Sequence, residues 1–263
     1  MASDSNSNHF LSCPVCASSL VFSDQNYSCI NQHNFPVQDG IICLTHHQQK
    51  NKLTLAQQSG AWKSTAFLYE KIWRPYSLSI LTTGKFSTAD ELEHLKKFVS
   101  VLKPETVVVD LTCSSGFYGR NISESRPDLT ILYCDYSIEM LKAAKKKNRA
   151  NYDFYISTWA ENQNFSNESI DAFVCGGSWN EITETEKTLK VMFQSLKKDG
   201  VFFWMGILKS EKIFGKFSQK IAQWLGGLHF DSPHEVETHF RSVGFKNIEL
   251  KRWKSVFIIT GKK

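Results

Sequence analysis

The sequence lacks several features that would assign it to a membrane, secreted or nucleic-acid-binding class. No run approaches about 18 consecutive apolar residues, and the start, Met1 to Asn8, has no apolar core, so neither a membrane span nor a signal peptide is expected. The seven cysteines are odd in number, and only the first three have metal-like spacing, which argues against a disulfide framework. A net charge of +5 is mild for a nucleic-acid-binding domain. The default expectation is a cytoplasmic protein.

What is present suits one domain with a small additional module. The chain has 263 residues, 41% of them hydrophobic, and no visible internal repeat. Cysteine and histidine cluster before residue 48, a Gln- and Lys-rich stretch follows, and helical periodicity continues to residue 100. The predicted parts are a ribbon at 9–47, a linker with an N-terminal helical cover at 48–100, and a ligand-binding domain at 101–263.

The first part carries a pattern of metal ligands. Cys13 and Cys16 form one knuckle, and Cys29 and His33 form a second after 12 intervening residues. Three thiolates and one imidazole suit tetrahedral Zn²⁺ in a closed structural site. The alternative is a ribbon that has lost its metal. Cys43 lies in an apolar run and is expected to fill the core.

From residue 107 onward, short apolar runs alternate with helical patterns, which predicts a doubly wound α/β domain with a mostly parallel sheet. The last two strands are joined by a tight turn and must be antiparallel. The predicted fold is therefore a seven-stranded, mostly parallel sheet with a C-terminal antiparallel hairpin, preceded by the ribbon. Strands are predicted at 107–109, 131–133, 152–156, 170–175, 201–207, 248–253 and 255–260; helices are predicted from Phe117, at 138–147 and at 186–196, the last ending at Asp199-Gly200.

A turn of small residues follows the first predicted strand. Small side chains let the backbone approach a ligand, and the helix starting at Phe117 offers free N–H groups to an anionic group. Asp135 closes the second strand, where an acidic side chain suits the hydroxyls of a ribose. Three other interpretations stay open: a turn that binds nothing, a dinucleotide fingerprint at 114–119, and helix capping by Ser137 or Asp135.

With these residues in place, the run from 107 to 147 resembles the class I S-adenosylmethionine-dependent methyltransferases. The stretch from Asp110 to Gly116 stands in place of their first motif, and the stretch from Asp135 to Leu141 matches their second. Weaker echoes at 159–165, 169–173, 197–202, 232–236 and 243–245 extend the resemblance over residues 65 to 263. Two family glycines are replaced by Thr112 and Ser114, and Trp159 stands where the family often has an aspartate.

The resemblance implies S-adenosylmethionine as cofactor and a set of donor-binding residues. The turn would hold the methionine part, Asp135 the ribose, and the residues around 136 and 160 the adenine. The implied cofactor-binding residues are Asp110, Thr112, Cys113, Ser114, Gly116, Asp135, Tyr136, Ala160, Glu161 and Gly176.

The ribbon resembles the one that begins the guanine-N1 methyltransferases of large-subunit ribosomal RNA. A similar module serves other methyltransferases as a separate activator subunit. The resemblance rests on the two knuckles and on the turn from Phe35 to Gly40 before the apolar Ile41. It implies either packing against the catalytic domain or help in gripping a substrate.

The chemistry implied is in-line methyl transfer, in which alignment and exclusion of water matter most. No catalytic base stands out; the candidates are Asn180, Glu181, Tyr69 and His229, with His234 also available. Aromatic residues on both sides of the domain suggest a cover over an apolar small molecule, or ordinary helix cores. The leading hypothesis is a small-molecule methyltransferase. The alternatives are an RNA base methyltransferase docking through the ribbon, a catalytically silent interaction module and a nicotinamide enzyme.

Overall fold

The computed structural model describes residues 10–45, 54, 74–148, 153–211 and 213–263. Within these ranges the strands are β1 (Val21–Ser23), β2 (Asn26–Ser28), β3 (Asn34–Gln38), β4 (Ile41–Cys43), β5 (Val107–Leu111), β6 (Thr130–Asp135), β7 (Phe154–Ser157), β8 (Ile170–Gly176), β9 (Leu196–Ile207), β10 (Lys246–Trp253) and β11 (Val256–Lys262). The helices are α1 (Arg74–Thr82), α2 (Thr88–Ser100), α3 (Phe117–Ser125), α4 (Ile138–Lys147), α5 (Thr185–Ser195), α6 (Ile213–Gly226) and α7 (Pro233–Val243).

One sheet runs through the molecule in the order β1-β2-β3-β4-β7-β6-β5-β8-β9-β11-β10. Strands β4 to β9 in this order are parallel, and β11 lies antiparallel between β9 and β10. The mostly parallel sheet and the antiparallel C-terminal hairpin are therefore confirmed. The strand order reverses between β5 and β8, which places a crevice at the carboxyl ends of these two strands, next to the end of β6.

The predicted strand count is wrong, because among the described residues the four strands of the ribbon join the seven of the domain in one sheet of 11 strands. Strand β4 pairs in parallel with β7, in the register Ile41 with Tyr155 and Cys43 with Ser157. All three residues of β4 are buried, as expected for an apolar strand that covers the edge of a parallel sheet. The ribbon thus continues the central sheet, and Cys43 fills the core as predicted.

Helix α4 has the predicted bounds, and α5 lies within one residue of its predicted range at each end, but the predicted C-cap signal at Asp199-Gly200 is wrong. The helix stops at Ser195, four residues before the predicted Asp199-Gly200 cap, because Leu196 already pairs with Ile170 in the sheet. Tertiary pairing has overridden the local stop signal.

The predicted N-terminal cover is described only from Arg74 onward. Helix α2 begins at a capping box formed by Ser87 and Asp90. Residues 46–53 and 55–73, with Tyr69 among them, lie outside the described residues, and so does most of the predicted linker. None of the helices described is long and apolar enough to cross a membrane.

Candidate functional site

The turn between β5 and α3 keeps a left-handed backbone although two of its three family glycines are absent. Thr112, Ser114 and Gly116 have φ values of 54°, 50° and 75°. A residue with a Cβ costs about 1–2 kcal/mol in this conformation. The Gly116 N–H closes the turn by donating to the Cys113 carbonyl at 2.8 Å. The backbone therefore holds its shape at an energetic cost.

Gly116 is the glycine that packing requires. A Cβ at this position would lie 2.9 Å from the Ala144 Cβ and 3.0 Å from the Tyr133 ring, closer than the neighbours allow without moving. Gly116 is also the N-cap of α3 and has no side chain with which to cap it. The N-terminus of α3, with its partial positive charge, therefore begins at this turn.

Asp135 lies at the carboxyl end of β6, beside this turn. Its two carboxylate oxygens accept hydrogen bonds from the backbone N–H of Ser114 at 2.8 Å and of Ser137 at 2.9 Å. Burial raises the pKa of Asp135 to about 6, and the backbone donors oppose that rise. Ser137 caps α4 through the N–H of Met140, so the capping role falls to Ser137 and Asp135 stays directed at the turn.

Two other residues that were predicted to bind the methyl donor, Asp110 and Cys113, lie behind the turn. The Asp110 carboxylate accepts the N–H of Gly119 at 2.8 Å and so fastens the first turn of α3 to β5. The N–H of Cys113 donates to the Cys134 carbonyl at 2.9 Å. Burial raises the pKa of the Cys113 thiol well above its ordinary value. Both residues shape the backbone of the site from within the core.

The predicted adenine side is built around an aromatic pair. Tyr136 and Trp159 stack with ring centroids 4.5 Å apart and planes 6° from parallel. Ala160 and Glu161 follow in a single 3₁₀ turn, and both are buried. The Gln163 amide holds this turn by donating to the Ala160 carbonyl at 2.6 Å. The structure thus brings Tyr136, Ala160 and Glu161 onto neighbouring segments.

Gly176 ends β8 beneath a tyrosine that the sequence analysis did not identify. A Cβ on Gly176 would lie 2.9–3.0 Å from the Tyr118 ring, so glycine is needed for this contact. The Tyr118 hydroxyl donates to the buried Glu91 carboxylate at 2.5 Å. The signal was present in the sequence, because Glu91 falls on the stripe with Leu95 and Val99 that α2 buries.

These features suit a methyl-donor site, and a model of the methyltransferase domain matches residues 102–247. The chain belongs to the methyltransferase-domain family. It is 23% identical over 90% of its length to an uncharacterised chloroplastic methyltransferase of Arabidopsis thaliana, of which it covers 74%.

Solved structures share the fold at low identity. A phosphoethanolamine N-methyltransferase of Haemonchus contortus, in complex with phosphomonomethylethanolamine and S-adenosylhomocysteine, is 14% identical with a TM-score of 0.66, over 82% of this chain and 61% of that one. A chain in the complex between the Trm112 methyltransferase activator and a methyltransferase of Haloferax volcanii is 15% identical with a TM-score of 0.59, over 80% of this chain and 97% of that one.

Two of the predicted catalytic candidates, Asn180 and His229, make contacts that indicate a structural role or a place away from the predicted site. The Asn180 amide donates to the carbonyls of Ile207 and His229 and accepts the N–H of Ile207, at 2.7–3.0 Å. With all three contacts made to backbone, Asn180 ties the loop after β8 to the end of β9. His229 lines a separate cleft of about 750 Å³, and none of the residues predicted to bind the methyl donor lines that cleft. Burial lowers the His229 pKa, so the ring is neutral near pH 7.

Glu181 is the candidate that lies among donor-site groups. It is in the short 3₁₀ turn after β8, and burial together with the Asp135 carboxylate raises its pKa to about 7. The negative charge of Glu181 also acts on Tyr136 and on Cys175. Of the other candidates, His234 is exposed at the start of α7, and Tyr69 lies outside the described residues.

The four predicted metal ligands form one cluster. The ligand atoms of Cys13, Cys16, Cys29 and His33 all lie within 4.8 Å of one another. The Cys16 and Cys29 sulfurs are 3.6 Å apart, and His33 Nδ1 lies 3.3 Å from the Cys29 sulfur and 3.6 Å from that of Cys13. Tetrahedral zinc, with bonds of about 2.3 Å to sulfur and 2.0 Å to nitrogen, needs ligand separations of about 3.5–3.8 Å. The cluster therefore fits zinc.

The Cys/His cluster is directly connected to the predicted adenine side of the domain. Next to Cys13, the Ser12 N–H donates to the Asn164 carbonyl at 2.9 Å, and the Ser166 N–H donates to the Phe10 carbonyl at 2.8 Å. On the other side of the ribbon, Lys142 and Lys145 bind Asp39 through its carboxylate and its carbonyl. The ribbon thus supports both the segment after Glu161 and helix α4.

Proposed function

We propose that this chain is an S-adenosylmethionine-dependent methyltransferase that acts on a small, partly apolar molecule by in-line transfer. The observation that carries the proposal is the Asp135 carboxylate at the tip of β6, beside the left-handed turn from which α3 starts. An acid and a helix N-terminus at the switch point of a parallel sheet suit a ribose and an anionic group of one ligand. The complex of the Haemonchus enzyme with S-adenosylhomocysteine supports this donor.

The proposed roles of the residues follow their positions. The turn with Thr112, Ser114 and Gly116 would hold the methionine part, and Asp135 the ribose hydroxyls. Tyr136, Ala160 and Glu161 would enclose the adenine, and Gly176 would lie near the methyl group. When bound, the donor supplies a methyl group already activated as a sulfonium. The chain has to align the nucleophile with it and exclude water.

A nucleophile that keeps its proton at neutral pH requires a base. Glu181 is the proposed group, because its pKa of about 7 makes it half ionised near neutrality. The charge of Asp135, proposed for the ribose, acts on Glu181, and the charge of Glu181 acts on Tyr136, proposed for the adenine. Asn180 is excluded from this role by its three backbone contacts.

The proposal of a small-molecule substrate rests on charge and on packing. The two lysines of α4 beside the ribbon are engaged with Asp39, which leaves less free positive charge between the ribbon and the crevice for an RNA backbone. Around Gly176 the described neighbours include the Tyr118 ring, an apolar wall that suits a partly apolar substrate.

We further propose that Cys13, Cys16, Cys29 and His33 hold a structural zinc ion. The separations of their ligand atoms support this ion, and a closed set of four protein ligands leaves no open position for chemistry. The ion would stabilise the ribbon that covers the β7 edge.

Calorimetry tests the proposed function. S-adenosylmethionine, S-adenosylhomocysteine and NAD are titrated into wild type, Asp135→Ala and, as a matched control, Asp199→Ala, a carboxylate exposed and paired with Lys262. We expect wild type and the control to bind both methyl-donor ligands and not NAD, and Asp135→Ala to lose that binding. Absence of binding by wild type would contradict the proposal and favour a silent scaffold.

A further inference from the structure

Helix α6 is attached to the protein through its polar side. The Gln219 carboxamide accepts the Ser210 N–H at 2.7 Å and donates to the Leu208 carbonyl at 2.9 Å. One turn earlier, a Cβ on Gly215 would lie 2.7 Å from the Ser210 Cβ, so the backbone approaches closely there. Gln219 and Gly215 thus hold the helix against the segment that follows β9. A surface helix ordinarily packs its apolar stripe inward instead.

The apolar stripe of α6 faces away from the body of the protein. Phe217, Ile221 and Trp224, spaced four and three residues apart, share one face and are 67%, 42% and 85% exposed. We call these three residues the α6 apolar face. With about 150–250 Å² for each fully exposed aromatic side chain, the face presents roughly 400 Å². This size lies within the range of the largest apolar patch on a typical monomer, a patch that is often functional.

The charges on helix α6 itself have one sign. Lys216 and Lys220 are exposed, and each precedes a residue of the face, so both lie along the same flank of the stripe. Helix α6 contains no acidic residue; before it, Lys209 is exposed, and the exposed Glu211 pairs with Arg252 at 3.1 Å. A second copy docked through the same face would bring the lysines of both copies to one rim without a carboxylate on α6 to pair with them.

We propose that the α6 apolar face docks on a bilayer surface that carries anionic lipids. An exposed stripe with Trp and Phe, flanked by lysines, has the composition of a helix that lies in the membrane interface. The lysine stems extend along the apolar boundary while their ammonium groups reach anionic head groups. Such docking holds the protein at a surface from which partly apolar molecules are available, and it does not depend on the proposed methyl transfer.

Co-sedimentation of the full chain with vesicles tests the docking. The vesicles contain phosphatidylcholine alone or phosphatidylcholine with one third phosphatidylglycerol. Because each lysine near an anionic surface contributes attraction, we expect partitioning onto the anionic vesicles to be higher by about tenfold or more, and to fall with added salt. The double variant Phe217→Ser/Trp224→Ser should lose binding to both vesicle types. The variant Lys216→Gln/Lys220→Gln should lose only the preference for anionic vesicles.

The matched control is Val101→Ser, which removes an 80% exposed apolar side chain outside α6 and should sediment like wild type. Circular dichroism checks that each variant is folded. Failure of folded wild type to bind anionic vesicles overturns the proposal. If light scattering then shows a dimer that the double variant abolishes, the face is an interface between copies. If the chain stays monomeric, the face serves neither as a membrane-docking surface nor as an interface between copies. Donor calorimetry is independent of all these outcomes.

Discussion

The substitution Asp135→Asn separates two effects of the buried carboxylate: its cost to folding stability when ionised, and its proposed contribution to ligand binding. A pKa of about 6, against 3.8 for an ordinary aspartate, means that the folded protein binds this proton more tightly than the unfolded chain does. Ionised Asp135 therefore opposes folding, and the stability of wild type falls as pH rises from about 4 through about 6. The full cost above that range is about 3 kcal/mol.

Asparagine removes the cost of burying an ionised group, but it leaves one backbone N–H without a hydrogen-bond acceptor. It keeps the shape but offers one acceptor oxygen, so either the Ser114 or the Ser137 N–H loses its partner, which costs about 1–3 kcal/mol. We expect the variant to be the less stable protein near pH 4 and to equal or exceed wild type near pH 7. The difference between their unfolding free energies should shift by about 2.4 kcal/mol between pH 4 and pH 7.

Urea unfolding of both proteins at a series of pH values measures that difference, and other titrating groups largely cancel in the comparison. Asp153→Asn is the matched control for the ligand assay, since burial also raises the Asp153 pKa but its carboxylate binds Ser123 and Asn148 instead of the turn. A pH-independent difference between Asp135→Asn and wild type would refute the reasoning on stability.

Calorimetry with S-adenosylhomocysteine measures the effect of Asp135→Asn on ligand affinity, which is the second part of this prediction. Two hydrogen bonds from ribose hydroxyls to an ionised carboxylate contribute about 3 kcal/mol, so Asp135→Asn should weaken binding about a hundredfold at pH 7. Wild type should bind more tightly as pH rises from about 5 to 7, because the hydroxyls favour the ionised form, and Asp153→Asn should follow it. Unchanged affinity in Asp135→Asn would show that the ribose is held elsewhere.

Three other changes have definite expectations. Thr112→Gly and Ser114→Gly should each raise the free energy of unfolding by about 1 kcal/mol in urea titrations and leave S-adenosylhomocysteine affinity unchanged, because they relieve left-handed residues that carry a Cβ; destabilisation would show that the side chains matter more than the backbone. Chelation, or Cys29→Ser, should lower Tm in calorimetric scans and weaken S-adenosylhomocysteine binding, since the ribbon is hydrogen bonded to residues 164 and 166; unchanged values of both would exclude a stabilising metal. Asn180→Leu should cost about 3–5 kcal/mol in urea unfolding by leaving three backbone groups unpaired, and an unaltered unfolding free energy would remove its structural role.

Local patterns predicted the elements that dominate the domain. The buried strand before the turn, the bounds of α4, the capping Ser137 and the metal tetrad follow from periodicity, capping chemistry and ligand spacing, which act over a few residues. The same reasoning failed at Gly200, where a local stop signal competed with the pairing of Leu196 and Ile170. It also could not separate Asn180 from Glu181, adjacent polar residues in one turn.

The sequence by itself determined that a small-residue turn, a nearby carboxylate and a Cys/His tetrad exist, because each is a short-range pattern. Only the tertiary structure decided that the ribbon extends the central sheet through β4 and β7, that Glu91 meets Tyr118, and that the apolar side of α6 faces outward. These are contacts between segments distant in the chain, or the choice of which helix face is buried. They depend on the packing of the whole molecule, and no local spacing encodes them.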